Sequence, residues 1–258
     1  MKKIFGLLLV SASLLLTGCL DTFDEITINA DGSGSYRQTV NMDKMFELME
    51  MAAMMDTSAS TAEAMKKMET TTVDTSYSLA NKEGEFTDDE RRLLAGASSH
   101  ILMNKKEGKF QIATSYPFTK TADLGKIIEL QGSGKASKGI DKAIPALGSA
   151  MGGEGDEEGM PNANKTFDIM AGDGFIERKV DKVSLDELMK GSEGEQMQQM
   201  KSMLESITYR TKISLPRPAK KVVGDKVKLS DDKRTVTVEA TMVDLIDTPK
   251  KLEFRVEY

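Results

Sequence analysis

Apolar and polar residues alternate most clearly in the last third of the chain. A period of two runs through residues 235–242 and 252–258, so each stretch has one apolar and one polar face. One buried face opposite one solvent-exposed face is typical of antiparallel sheet. A further strand is predicted at 207–215, where Pro216 and Pro218 end it.

Turn-forming residues between short apolar runs predict three hairpins earlier in the chain. The first spans 23–40 around a turn at 29–34, with Ile26 and Ile28 on one face. The second pairs 101–103 with 110–118 across a turn at 105–108. The third pairs 167–170 with 175–180 across Ala-Gly-Asp-Gly.

Helical spacing and capping residues predict helices between these strands. Asn41 is typical of an N-cap, and Met42, Met45 and Met49 follow at helical spacing in a helix that reaches about residue 55. Capping boxes at 87–90 and 184–187 start two more helices. Thr121 is expected to cap another helix, and the segments 61–69 and 195–206 also have helical patterns.

Residues 131–165 have a different composition, because eight of the 35 are Gly and acidic residues cluster at 154–158. Such a segment buries too little apolar area to offset its ordering entropy, so we expect a flexible insertion. The order of elements predicts an α+β fold, an antiparallel sheet with helices packed mainly on one face. We expect residues 19–258 to form one domain whose first and last strands share the sheet; two domains divided near 131–165 are the alternative.

Charge and composition exclude several classes of function. The 258 residues carry a formal net charge of −6, which disfavours nucleic-acid binding because that needs a basic face. One Cys rules out an intrachain disulfide or a cysteine zinc cluster, and one His, His100, leaves little room for histidine catalysis. No metal site and no cofactor is predicted.

The N-terminus has the pattern of an export signal. Lys2 and Lys3 precede an apolar run at 4–16, which is shorter than the ~20 residues that a membrane-spanning helix needs. Leu16-Thr17-Gly18-Cys19 follows and resembles the lipobox of bacterial lipoproteins. The resemblance implies a signal peptide at 1–18 that is removed, and acyl chains such as palmitate on Cys19.

A lipid on Cys19 would decide where the protein resides. Removal of Lys2 and Lys3 would change the formal net charge from −6 to −8, so the lipid rather than charge would hold the chain to the membrane. In enteric-type lipoproteins an Asp directly after the Cys retains the protein in the inner membrane. Leu20 occupies that position here, which implies the outer membrane, with the domain on its periplasmic or its outer surface.

The body of the chain is similar to the mycobacterial LppM-type lipoprotein domain. The similarity rests on the strand and turn at 26–34, the Ile-Ser-Leu-Pro at 213–216 and the turn at 230–233. It implies an α+β module built on an antiparallel sheet, and it implies no activity.

Methionine is the unusual feature among the remaining candidate residues. The chain has 18 Met, and Met42, Met45 and Met49 indicate either an apolar groove or ordinary core packing. The loop that begins at Asn29 resembles the start of a calcium loop, but its twelfth position is Val40 instead of Glu. Gly132-Ser133-Gly134-Lys135 lacks the spacing of a phosphate-binding loop.

The sequence therefore predicts a lipid-anchored envelope protein with a non-catalytic binding or scaffolding domain. Its partners would be the membrane, through the lipid, and another envelope protein or a hydrophobic ligand. Two alternatives stay open. One is an envelope enzyme whose carboxylates converge only in the fold. The other is a Met-rich protein that handles copper.

Overall fold

Strands dominate the fold. The computed structural model describes residues 21–43, 72–80, 86–133, 166–189, 205 and 207–258. The strands are β1 (Asp21–Ile28), β2 (Gly34–Asn41), β3 (Thr72–Ser78), β4 (Ser98–Asn104), β5 (Lys109–Phe118), β6 (Phe167–Gly172), β7 (Phe175–Val180), β8 (Thr208–Ser214), β9 (Lys221–Val223), β10 (Val227–Leu229), β11 (Thr235–Thr241) and β12 (Phe254–Glu257). The helices are α1 (Asp88–Leu93), α2 (Leu124–Gly132), α3 (Lys182–Met189) and α4 (Met242–Asp247), with short 3-10 turns at Lys105–Glu107, Thr121–Asp123 and Pro249–Leu252.

The strands form two sheets. The larger has eight strands in the order β10-β11-β8-β1-β2-β5-β4-β3, and the smaller has four in the order β6-β7-β12-β9. Neighbouring strands are antiparallel except β1 and β8, which are parallel. The α+β prediction is therefore confirmed in its coarse form, but the second sheet was not predicted. That helices pack mainly on one face stays a prediction.

The two ends of the large sheet differ in which strands begin and end there. Asp21 lies opposite Asn41 and beside Thr208, and Thr208 lies opposite Thr241. We call this end, where β1 and β8 begin and β2 and β11 finish, the Asp21 end. The opposite end, where β2 begins beside Ile28, is the Gly34 end.

The hairpin β1–β2 forms where the sequence predicts it. Asp31 Oδ1 accepts hydrogen bonds from the backbone N of Ser33 at 3.0 Å and from its hydroxyl at 2.6 Å, and Gly32 supplies the positive φ of 82°. Val40 lies within β2. The loop is thus a hairpin turn whose carboxylate is already satisfied.

The two sheets share one apolar core cluster. It contains Ile26 and Tyr36 from the large sheet, Val256 from the small sheet, and Leu124 and Ile127 from α2. The expectation that the first and last strands share a sheet is wrong, because β12 pairs with β7 and β9 in the small sheet. The chain passes between the sheets several times, and its last crossing, from β11 to β12, comes after α4.

Two predicted helix caps need correction. Thr121 does not cap α2, because its hydroxyl donates instead to Gly32 O at 2.9 Å in the β1–β2 turn. Ser184 does not start α3, which begins at Lys182 and is capped by Asp181, whose Oδ1 accepts from Val183 N at 3.0 Å. The capping box at Thr87 is confirmed, with Glu90 reaching back to Thr87 N at 2.8 Å.

Some elements were not predicted, and some predictions lie outside the described residues. The strands β3, β9 and β10 carried no clear signal in the sequence. The helix α4 was missed because its capping box, Thr241 and Asp244, overlaps the alternating run at 235–242, which predicts a strand through Met242. The predictions at 1–20, for the Met-rich helix beyond residue 43, at 61–69, for the insertion beyond residue 133 and for most of 195–206 lie outside the described residues.

Candidate functional site

The structure places only one of the predicted site residues. Cys19, Met45 and Met49 lie outside the described residues, and Met42 lies just after β2. Among the described helices, none combines the length and the apolar character that crossing a bilayer requires.

Met42 is part of the core of the large sheet. Its backbone N donates to Phe110 O at 2.7 Å, and Asp43 Oδ1 accepts from Phe110 N at 2.7 Å, so this segment is held against β5. Its side chain is buried in a cluster with Ile101, Met103 and Phe110. Met42 therefore packs as an ordinary core residue, and the proposed groove beside Met45 and Met49 stays a prediction.

A buried polar cluster, which the sequence reasoning missed, lies between the two sheets. Asp24, in β1, is 4% exposed, and its Oδ1 accepts from Tyr36 OH and from Gln38 Nε2, each at 3.0 Å. Tyr209 OH donates to the other carboxylate oxygen. We call Asp24, Tyr36, Gln38, Tyr209 and the nearby Arg178 the Asp24 network.

Strand register brings this network together. Asp24 lies directly opposite Gln38 on β2 and beside Thr211 on β8, and Tyr36 and Tyr209 lie two residues away on the same faces. From α2, Gln131 Nε2 donates to Gln38 Oε1, which links the helix to the same group. The cluster therefore joins the strands β1, β2 and β8 to the helix α2.

Arg178, on β7, is the contribution of the small sheet. It is 1% exposed; its Nε donates to Leu252 O at 2.9 Å, and one terminal nitrogen donates to Thr211 Oγ1 at 3.2 Å. The guanidinium carbon lies 4.8 Å from the ring centre of Phe167 and 4.9 Å from that of Phe254. Aromatic faces favour a cation at such distances. Its other terminal nitrogen has no hydrogen-bond partner within the described part of the chain.

Burial dominates the electrostatics of the network. It raises the pKa of Asp24, although the hydrogen bonds from Tyr209, Gln38 and Tyr36 oppose the shift. Burial also lowers the pKa of Arg178. Burial, together with the charge of Asp24, raises the pKa of Tyr36 and of Tyr209 well above the ordinary value, so both phenols stay protonated and act as donors.

A cleft of about 670 Å³ lies between α2 and β6. Gly125 lets the helix approach the strand, because a Cβ there would lie 2.3 Å from Ile169 O. The cleft is lined by apolar side chains such as Ile169 and Met170 and by charged ones such as Lys126 and Glu129. Asp24 does not line it, so the buried carboxylate and the cleft are separate features.

The placement of the acidic side chains and of the one histidine bears on the metal and enzyme alternatives. Within them, no group of three His, Cys, Asp or Glu side chains is arranged to hold a metal ion. His100 lies on β4, where its Nε2 is 2.8 Å from Asp74 Oδ1 in an exposed pair. The enzyme alternative needs two carboxylates that face each other across a cleft. Asp24 is enclosed by hydrogen-bond donors, whereas Glu129, Asp168 and Asp181 line the α2–β6 cleft, so this alternative stays a prediction.

Comparisons with known proteins add little. No protein-family model matches the chain, and no curated protein matches it significantly. Among solved structures, the chain aligns with the folded domain of LppM from Mycobacterium tuberculosis. The alignment covers 94% of this chain and 92% of that one, with 9% sequence identity and a TM-score of 0.35. This is a weak structural resemblance.

Proposed function

We propose that this protein is a bacterial lipoprotein, held to the cell envelope by acyl chains on Cys19. The observation that carries the proposal is the N-terminal pattern: two lysines, a short apolar run and Leu-Thr-Gly-Cys, in which Cys19 is the sole cysteine of the sequence. Two or three acyl chains hold a protein to a bilayer durably, whereas one holds it weakly.

The start of the folded body agrees with this proposal. β1 begins at Asp21, two residues after Cys19, and pairs with β2 on one side and β8 on the other. A signal peptide cleaved before Cys19 would leave the described part of the chain intact.

The proposed role of the body is binding or scaffolding without catalysis. Within the described residues, the buried Asp24 network satisfies its carboxylate internally with three donors. Such closed networks stabilise a particular arrangement of strands. The proposed partner is another envelope protein or a hydrophobic ligand.

Lipid attachment is tested directly by replacing the sulfur that would carry it. Cells that express the wild type and Cys19→Ser are fed an alkyne-labelled palmitate, and the envelope fraction is analysed by mass spectrometry of the intact protein. We expect label and added acyl mass only in the wild type. Equal palmitate labelling of the two proteins, or an unmodified wild-type mass, would overturn the proposal.

The proposed outer-membrane location has its own test. Leu20→Asp creates the residue that retains enteric-type lipoproteins in the inner membrane. In a host with two membranes, density fractionation should find the wild type in the outer-membrane fraction and the variant in the inner-membrane fraction. A wild type that sediments with the inner membrane contradicts the location without affecting lipid attachment.

The proposed binding role is tested by crosslinking in intact cells, followed by identification of the captured protein. The role is supported if this protein captures an envelope protein and that envelope protein, used as bait in turn, captures this one. Hydrolytic activity of the purified chain that is lost on mutation of carboxylates in the α2–β6 cleft would favour the enzyme alternative.

A further inference from the structure

The distance between Cys19 and the folded body limits how the body can be placed on a membrane. Only Leu20 separates Cys19 from Asp21, the first residue of β1. Two residues reach at most about 7 Å, whatever conformation they adopt. If Cys19 carries the lipid, as proposed above, Asp21 must therefore lie close to the lipid headgroups.

Asp21 cannot move independently of the rest of the large sheet. It pairs with Asn41 on β2 and with Thr208 on β8, and the Thr208 hydroxyl donates to its carboxylate. β1 is thus an interior strand with a neighbour on each side. Wherever the lipid holds Asp21, the whole Asp21 end of the sheet must follow.

Several exposed groups lie at this same end. The turn between β4 and β5 carries Lys106. It lies at the Asp21 end because Asn104 pairs with Lys109 at the start of β5, close to where Asn41, the last residue of β2, pairs with β5. The 3-10 turn after α4 carries Lys250 and Lys251. All three lysines are exposed and form no ion pair within the described part of the chain.

An exposed apolar side chain lies near this end too. α3 follows β7, whose last residue, Val180, packs with Leu245 of α4 in one small core cluster. α3 therefore starts beside the helix that follows β11, at the Asp21 end. Its Val183 is 67% exposed, the largest exposed fraction among the large apolar side chains described.

The Gly34 end lies at the far end of β1 and exposes charges of both signs. Tight turns close it at 29–33 and 230–234, and its exposed residues include Asp31 and Asp231 as well as Lys233 and Arg234. β1 rises about 3.3 Å per residue, so the two ends of its eight residues are separated by about 23 Å. That separation is large enough to tell the two ends apart by their distance from a bilayer.

We propose that the Asp21 end lies against the headgroups of the membrane that holds the lipid, because the tether is only two residues long, and that the Gly34 end points away from it. Lys106, Lys250, Lys251 and Val183 then face the headgroup layer. Lysine side chains suit that layer because their ammonium groups are attracted to lipid phosphates while their stems contact apolar surface. The Gly34 end is left as the surface open to other envelope proteins.

Single-cysteine reporters test this orientation in the full, acylated chain. The acylated Cys19 does not react with maleimide, so Lys106→Cys and Lys250→Cys report the Asp21 end, and Ala30→Cys and Asp231→Cys report the Gly34 end. All four positions are exposed. Each variant is labelled with a fluorophore and reconstituted into phosphatidylethanolamine–phosphatidylglycerol vesicles whose headgroups carry a nitroxide quencher.

We expect quenching several times stronger at residues 106 and 250 than at residues 30 and 231. A matched control inserts twelve Gly and Ser residues between Leu20 and Asp21, which lengthens the tether to roughly 20 Å. This variant should keep its acyl mass and stay on the vesicles, while the difference between the two ends shrinks or disappears.

The outcomes separate this inference from the proposed function. An acylated, vesicle-bound chain that is quenched equally at both ends, or more at the Gly34 end, overturns the orientation alone. A difference that persists unchanged with the long linker also overturns it, because the short tether would not be its cause. A chain that carries no acyl mass overturns both proposals.

Discussion

At the scale of single residues, Asp24 shows how a charged side chain comes to lie in the core. It shares the face of Ile26 and Ile28 in β1, and all three are buried. The alternation along β1 therefore contained the signal that Asp24 points inward. Its partners were not predictable, because Tyr209 is 185 residues away and meets Asp24 only through the parallel pairing of β1 with β8.

Arg178 is the residue whose loss we expect to matter most. Arg178→Met removes the donors to Leu252 O and Thr211 and leaves Asp24 buried without a nearby cation. Breaking a buried charge arrangement in this way costs about 3–5 kcal/mol of unfolding free energy. Lys179→Met, one residue along and half exposed, is the control and should cost less than about 0.5 kcal/mol.

Urea unfolding of the two variants checks this prediction. Equal losses of stability in Arg178→Met and Lys179→Met would contradict it.

The raised pKa of Asp24 predicts the sign of a pH effect. Burial, the largest cause, raises the pKa of this carboxyl group in the folded state. Between the ordinary value of 3.8 and the folded pKa, the Asp24 carboxyl group therefore binds more protons in the folded chain than in the unfolded chain. Stability therefore falls as the pH rises from about that value to the folded pKa, and the loss is constant above it.

Asp24→Asn removes this titration, and comparison with the wild type isolates it. We expect the unfolding free energy of the wild type to decline relative to that of Asp24→Asn as the pH rises from about 4 towards neutrality. Denaturant curves at a series of pH values measure it. A relative increase, or parallel pH profiles, would show that burial does not control this carboxyl group.

At the scale of elements, the hairpins were predictable and the edge strands were not. Turn residues and alternation located β1–β2, β4–β5 and β6–β7, since each of these signals lies within about 20 residues of sequence. β3 carries Asp74, Thr75 and Ser76 with little apolar pattern, because this edge strand buries none of its residues and polar side chains suit an exposed edge. β9 and β10, with three residues each, are too short for a period to appear.

Gly34, the first residue of β2, is a position in the β1–β2 hairpin where a side chain does not fit. A Cβ at Gly34 would lie 2.0 Å from Thr27 O and 2.5 Å from the Phe118 ring, so the strands β1 and β5 approach too closely for any side chain. Gly34→Ala should therefore destabilise the protein by about 3 kcal/mol, the upper range for overpacking.

Gly108→Ala is the matched control for Gly34→Ala. Gly108 has a φ of 62°, and a Cβ added there would meet nothing within 4 Å, so only backbone strain of about 1 kcal/mol is expected. Thermal or urea unfolding compares the two variants. The prediction is wrong if Gly108→Ala proves the more damaging.

At the scale of the whole molecule, the sequence predicted the fold class but not the division into two sheets. Alternation in β11 and in β12 is equally clear, and it states that each strand has a buried face. It does not state which strands pair. The short helix α4 and the 3-10 turn at Pro249–Leu252 lead the chain from β11 in the large sheet to β12 in the small one. The capping box that starts α4 overlaps the alternating run of β11, which hides the helix in the sequence.

The shared core cluster predicts that the two sheets unfold together. Val256, in β12, is fully buried and belongs to the same cluster as Ile26 in β1. Val256→Ala leaves a cavity and should cost about 2 kcal/mol. Because the core is shared, hydrogen exchange should show the same loss of protection for the most protected amides in β1–β2 as for those in β7–β12.

Val223→Ala, in the neighbouring strand β9, supplies the control because its side chain is 53% exposed. It should change protection little in either sheet. If Val256→Ala weakened only the amides of the small sheet, the sheets would be separate folding units, and the division near residues 131–165 would be the correct domain boundary. Equal weakening would instead establish one cooperative domain, in which a lipid at Cys19 orients both sheets at once.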